Sequence, residues 1–305
     1  MKAFLPEQTR VSQVHLRTAS LERSLGFYAD VLGLSAHHPN GSQAVLSAGA
    51  GPELLVLSED ASAPQRPPRS IGLYHLAIRY PERRDLAHAF QRLINNGYPV
   101  EGASDHGVSE AIYLSDPEGN GVELYADRPP TQWPRRRGHL AMVTQPLDVR
   151  DLLKSVQDTP APPEPPAETD IGHIHLHVAN LPAADRFYHE FLGLAVTQRS
   201  IPDALFLAAG EYHHHIGVNT WAGHAAPPSN STGLISYRLD VPVKEILYCL
   251  SHRAPLLGYE TRTLPDAHGP ILQIRDPNGS WLEIQHKQQT SNPQHAEAAI
   301  DCEHH

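Results

Sequence analysis

The chemistry this chain could perform is concentrated in a few histidines and glutamates whose spacing repeats. His75 and Glu123 lie in the first half, and 160 residues beyond Glu123 stands Glu283. His75 has Ser236 as its counterpart, after a shift of one, whereas Gln13 in the first half becomes His173 in the second. Candidate ligands are thus kept in some copies and lost in others, which is the mark of a site retained in one place. Histidine is also in excess, with 21 among 305 residues, and neutral imidazole is the commonest metal ligand. Two imidazoles and one carboxylate with open positions beside them suit a non-haem Fe(II) oxygenase. Taken singly the residues say less. A lone histidine on a strand is more often structural, and a glutamate after a turn, as Glu123 is, commonly faces solvent. Their matching placement carries the reading.

The elements that must position these residues come from the repeat. Phe27-Tyr28 and Leu32-Gly33-Leu34 return as Phe187-Tyr188 and Leu192-Gly193-Leu194, and Asp116-Pro117 returns as Asp276-Pro277. Such internal similarity fixes the architecture before any local assignment does. Each half divides again. An alternating strand over Val11 to Thr18 precedes a helix from Ser20 to Leu32, whose Leu21, Leu25, Tyr28 and Leu32 share a face. Gly33 is placed to close it as a left-handed cap. Strands over Ala44 to Leu46 and Leu54 to Leu57 complete the unit. The second unit runs from a strand at Leu73 to Tyr80 through a helix over Arg84 to Asn95. It ends in strands at Ala111 to Leu114 and Val122 to Ala126, joined by the Asp116-Pro117-Glu118-Gly119-Asn120 turn. The third unit opens at Ile171-Gly172-His173 and closes with a strand over His213 to Asn219. The fourth spans Leu234 to Gln285.

The expected fold class is therefore α+β, built from four βαβββ units. A first domain covers residues 9–128 and a second covers 170–287. Between them, 129–169 reads as a linker with a short helix over Pro146 to Val156 and a proline-rich stretch from Asp158 to Thr169. Residues 288–305 form a polar tail expected to be disordered.

Composition excludes several classes. A formal charge of −10 leaves no basic face for nucleic acid, and Arg135-Arg136-Arg137 is too short a run to supply one. No window reaches the apolar length of a membrane span, and no signal peptide is evident, which predicts a cytoplasmic protein. Cys249 and Cys302 are too few for a disulfide framework or a thiolate metal cluster.

The units, with Phe-Tyr and Leu-Gly-Leu at the helix end and Asp-Pro-x-Gly-Asn before a glutamate-bearing last strand, resemble the vicinal oxygen chelate superfamily. This group includes glyoxalase I, bleomycin-resistance proteins and extradiol ring-cleaving dioxygenases. The resemblance extends from Val11 to Gln285. Gly72-Leu73-Tyr74-His75, the stretch from Asp105 to Asn120, and Tyr212-His213-His214-His215-Ile216-Gly217 are especially similar to the catechol 2,3-dioxygenase type. Fold does not by itself give activity, since this superfamily hosts several chemistries.

The resemblance implies that the four units form two paired, curved mixed sheets, with two units pairing around a metal and ligands on first and last strands. If units two and three share a sheet, His75, Glu123 and His173 form the set, with Fe(II) the expected metal and Mn(II) an alternative. If consecutive units pair instead, Gln13, His75 and Glu123 resemble the ligands of some glyoxalases. Exchanged pairing is favoured because it alone yields the facial triad. It also gathers the remaining matches: Tyr113, ten residues before Glu123, and one of the neighbours His214 and His215, whose side chains would point to opposite faces of a strand. His106 lies near the place of a further family histidine, at a spacing that differs by two. Tyr113, His106, His214 and His215 are the catalytic candidates.

The implied activity is extradiol cleavage of a catechol-type aromatic diol by dioxygen, with no cofactor besides the metal. Homo-oligomerisation through sheet edges is compatible with such units. Two competing functions use the same scaffold: a glyoxalase-type isomerase or lyase with Ni(II), Zn(II) or Mn(II), and a metal-free binder of aromatic ligands.

Overall fold

A computed structural model of the chain describes residues 5–287; the polar tail from residue 288, expected to be disordered, lies outside the described residues. The four units are all present. Each consists of a first strand, a helical segment, and three further strands, the last of which returns to lie parallel to the first.

The pairing of units decides which residues can meet. One eight-stranded sheet joins unit one to unit four, and one nine-stranded sheet joins unit two to unit three. The joints are antiparallel pairs of first strands. Arg10–Thr18 runs against Gly233–Val241, and Gly72–Tyr80 runs against Asp170–His177. Each sheet therefore draws one unit from each half of the chain. The consecutive pairing that would have united Gln13 with His75 does not occur, and the Gln13, His75, Glu123 alternative falls with it.

The helix expected over Ser20 to Leu32 is composite. An α-helical turn at Leu21–Leu25 passes into a π-helical stretch at Gly26–Val31, and the third unit repeats this at Leu181–Asp185 and Arg186–Phe191. A uniform 3.6 period would turn one of two adjacent aromatics outward. The wider π turn lets Phe27 and Tyr28 both bury, as Phe187 and Tyr188 do. Tyr28 and Tyr188 then donate to Asp116 (2.9 Å) and Asp276 (2.8 Å), tying each helix to the Asp-Pro turn of the partner unit in its half. Gly33 and Gly193 take φ of +82° and +83°, the left-handed closure that glycine provides.

Several boundaries differ from the sequence expectation. A strand at Ser35–Asn40, nearly all exposed, carries no alternating pattern to reveal it. The short helix before the proline-rich stretch is Val149–Lys154, capped by Asp148. The strand expected over His213 to Asn219 forms only at Ile216–Asn219. Among the described residues no helix is long and apolar enough to cross a membrane.

Candidate metal centre

His75, Glu123 and His173 converge in the sheet built from units two and three. The ladder explains how. Ala77 is the cross-strand partner of Glu123 on one side and of His173 on the other, and Tyr113 faces Glu123 on the next strand out. Tyr113, Glu123, Ala77 and His173 thus form one row across four strands, with His75 two residues from Ala77 on the same face. A β-bulge between Ile171 and His173 re-aims the histidine into this face. The small Ala77 side chain leaves space at the centre of the row.

The ligand atoms lie at metal-binding separations. Glu123 Oε2 is 3.0 Å from His75 Nε2 and 3.1 Å from His173 Nε2, and the two nitrogens are 3.3 Å apart. Ligands about 2.1 Å from one ion and at right angles to each other would lie about 3.0 Å apart, so the three atoms match one face of an octahedron. All three residues are buried. Burial opposes the charge on Glu123, but the two imidazoles outweigh it and hold the carboxyl well below its ordinary value. Burial lowers the His173 imidazole to about 4 despite Glu123 beside it. At neutral pH the set is thus one carboxylate with His173 as a neutral imidazole, the state a divalent cation requires. The donor set and its charge fit such an ion. His173 Nδ1 has no hydrogen-bond partner, so its ring is oriented by packing against His214 (centroids 4.1 Å apart) and Tyr125 (5.0 Å).

Beside the three ligands opens a cavity of about 350 Å³. Three of the four catalytic candidates line it, namely Tyr113, His106 and His214. His215 does not. It packs on Tyr212 (4.8 Å) and borders a separate depression with Arg79 and Tyr212. Neither of the adjacent histidines His213 and His214 belongs to the strand, because all three of the run precede its start at Ile216. Strict alternation therefore does not govern them, and His213 Nδ1 and His214 Nδ1 meet at 2.8 Å.

His106 and Tyr113 act as a pair. His106 Nδ1 lies 2.9 Å from the Val143 carbonyl, which only accepts, so this nitrogen donates. In the neutral ring Nε2 then accepts from Tyr113 Oη at 2.7 Å. Burial and the neighbouring Glu123 carboxylate push the Tyr113 phenol well above its ordinary range, so it stays a protonated donor.

Sequence reasoning missed His175, which also lines the cavity. Its Nε2 accepts from Asn219 Nδ2 at 2.9 Å, while Asn219 Oδ1 pairs with His177 Nδ1 at 2.7 Å. The signal was available: His173, His175 and His177 alternate along one strand and so share a face. Apolar walls come from Val108, Met142, Val143, Ile201 and Phe206, and the half-exposed Trp221 meets Tyr74 edge-on at the mouth. Met142, Val143 and Thr144 belong to the stretch read from sequence as a linker, which here forms part of the cavity wall.

A family model for the glyoxalase/bleomycin resistance protein/dioxygenase superfamily matches residues 10–124. A catechol-2,3-dioxygenase from Bacillus subtilis is 42% identical over 282 residues, covering 90% of this chain and 97% of that protein. The chain belongs to this superfamily. A biphenyl-2,3-diol 1,2-dioxygenase from Rhodococcus globerulus is 30% identical over 120 residues, covering 39% of this chain and 63% of that protein. Among solved structures of the superfamily fold, a putative dioxygenase from Bacillus subtilis aligns with a TM-score of 0.65 at 13% identity, covering 94% of this chain and 86% of that one. Glyoxalase I from Zea mays aligns with a TM-score of 0.57 at 16% identity, over 91% and 92%. At such identities the structural likeness bears on fold alone.

Proposed function

We propose that this superfamily member is an Fe(II)-dependent extradiol dioxygenase that opens the ring of an uncharged catechol next to its two hydroxyls. The observation that carries the reading is the His75, Glu123, His173 face turned toward an apolar cavity that also holds His214 and the His106–Tyr113 pair. The extensive similarity to a catechol-2,3-dioxygenase supports it. When bound, Fe(II) would offer adjacent positions for both catechol oxygens and for dioxygen, and electron density for reducing the latter.

The protein's own residues supply the rest. Glu123 contributes one negative charge, so a catecholate that has given up one proton would bring the centre to net zero. His214 is kept neutral by burial, with the nearby imidazoles adding to the effect. Its Nδ1 is engaged by His213, so Nε2 is left to take a hydroxyl proton from the diol. The same nitrogen can later return that proton to an oxygen atom of the ring-opened product, which retains both atoms of dioxygen. Tyr113, whose single proton goes to His106, keeps its oxygen lone pairs to accept a hydrogen bond from a substrate hydroxyl. Phe206 and the aliphatic walls hold the ring and exclude water.

No lysine or arginine lines this cavity among the described residues. A ring carboxylate would there lose its hydration without gaining a partner. The test is oxygen uptake by anaerobically purified, Fe(II)-loaded protein. Catechol and alkyl- or aryl-substituted catechols should consume one dioxygen per diol and give a yellow ring-opened product. Dihydroxybenzoates should react poorly, with at least about tenfold lower kcat/KM. Metal-loaded protein that consumes no oxygen with any uncharged catechol would overturn the proposal.

A further inference from the structure

Beyond the cavity, the same concave face carries a polar network that the reaction described above does not use. Asp127, at the end of the strand bearing Glu123, accepts from His213 Nε2 through Oδ1 at 2.9 Å. Its Oδ2 accepts from Tyr212 Oη at 2.9 Å and from Arg79 at 3.2 Å. Arg79 is itself fixed by a two-point contact with Asp170, at 2.9 and 2.6 Å. Tyr212, having given its proton to Asp127, accepts from Tyr125 at 2.8 Å. His213 is fully buried and packs between this network and the cavity, with Tyr212 4.0 Å and Trp133 5.5 Å from its ring.

With His213 as a neutral imidazole, hydrogen-bond direction along this chain follows from the Asp127 end. A carboxylate only accepts, so His213 carries its proton on Nε2. A neutral His213 then presents a lone pair at Nδ1, and the 2.8 Å contact requires His214 to carry its proton on Nδ1. That leaves the Nε2 lone pair of His214, a cavity-lining residue, as its free acceptor. We propose that Asp127 and His213 are positioning residues that lock His214 in the Nδ1–H tautomer, with its basic nitrogen turned to the substrate.

This inference rests on His214 being the proton acceptor for the diol, and it names the device that prepares it. An ordinary buried ion pair would need only one contact to satisfy Asp127. Here the carboxylate takes three donors, which fixes its own orientation, and the second imidazole transmits that orientation to a third residue. Burial opposes the Asp127 charge, but the His213 hydrogen bond and Arg79 outweigh it, so the carboxyl lies below its ordinary value and remains an obligate acceptor.

Asp127→Asn tests the inference while preserving shape. The amide can turn its NH2 toward His213 Nε2, which moves the His213 proton to Nδ1 and so reverses the bond to His214. In protein labelled with ¹⁵N-histidine, long-range ¹H–¹⁵N spectra report the tautomer of each ring, with His214 assigned by the loss of its signals in His214→Gln. Wild type should show His214 as the Nδ1–H form. In Asp127→Asn it should shift to the Nε2–H form, with metal content and KM within about twofold of wild type and kcat lowered on the order of 10²-fold. Wild-type His214 found as Nε2–H would overturn the proposal whatever the activity, and that readout decides the matter even if Asp127→Asn fails to fold. An unchanged kcat in folded, metal-loaded Asp127→Asn would overturn it too. If wild type consumes no oxygen, the dioxygenase reading fails, while the spectra still decide the tautomer lock.

Discussion

Arg238 stands beside Glu283 in one sheet where Ala77 stands beside Glu123 in the other. The two rows are otherwise in register: Gln273, Glu283, Arg238 and Gln13 answer to Tyr113, Glu123, Ala77 and His173. In the first row the guanidinium binds Glu283 through two nitrogens at 3.0 and 2.8 Å, with Ser236 and Gln273 donating at 2.9 and 2.7 Å. In this pseudo-symmetric row the glutamate is thus met by an internal cation, the Arg238 guanidinium. Arg238→Ala should leave Glu283 buried without its counter-charge and destabilise the protein by about 3 kcal/mol. The metal content of the other sheet should not change. Denaturation and elemental analysis on the same preparation check both halves; a loss of the bound metal would contradict the independence of the two sites.

His173→Ala, His75→Ala and Glu123→Gln should each abolish stoichiometric metal binding, because each removes one of the three candidate ligands that converge among the described residues. His173→Ala is the sharpest of these, since His173 lies in the opposite half of the chain from the other two. Metal titration by calorimetry should show affinity reduced by at least about 10²-fold. Retention of near-wild-type affinity in His173→Ala would remove this residue from the set.

Gly172→Ala should disturb the centre from behind. A Cβ there would sit 1.6 Å from Tyr125 Oη, and no flexible chain end is available to yield, because Tyr125 is fully buried. Tyr125 packs on His173 and bonds Tyr212 at 2.8 Å, so its displacement reaches both the metal face and the Asp127 network. The expected cost is about 1–3 kcal/mol, with weakened metal affinity. Thermal melting with and without added metal measures both. An unaltered melt would mean that the backbone at the bulge relaxes freely.

How far the sequence discloses this molecule depends on the range over which each feature is encoded. The units were legible because alternation, glycine caps and the Asp-Pro turn are local. The convergence of His75, Glu123 and His173 follows once first strands are seen to pair, and the asymmetric loss of ligands at Gln13 and Ser236 pointed to that pairing. The π turns were hidden because they break the helical period used to find the helix. The cavity walls were hidden for another reason: Met142, Val143, Ile201 and Trp221 come from irregular segments, whose contacts no periodicity records. Asp127 was invisible as a partner of His213 because 86 residues separate them, and only the joining of units two and three brings them together.

The fate of His215 gives an acid-sensitivity that can be measured. Burial, with further effects from His213 and Arg79, lowers its imidazole from the ordinary 6.5 to about 3. Above pH 6.5 it is neutral in folded and unfolded chains alike and contributes no pH dependence. Below 6.5 the unfolded chain takes up a proton that the folded chain refuses until about pH 3, so this residue draws stability down as pH falls through that window. The slope is at most about 1.4 kcal/mol per pH unit, which amounts to about 2 kcal/mol between pH 6.5 and 5. His215→Gln should be less stable than wild type at pH 7, having lost the contact with Tyr212 and the bond from the Ala209 amide. At pH 5 that deficit should shrink by about 2 kcal/mol, because the variant has no imidazole to protonate when it unfolds. Urea denaturation of both proteins in the metal-free form at the two pH values reads the difference directly. A deficit independent of pH would mean that His215 is protonated in the folded chain, and that its depression admits more water than its burial implies.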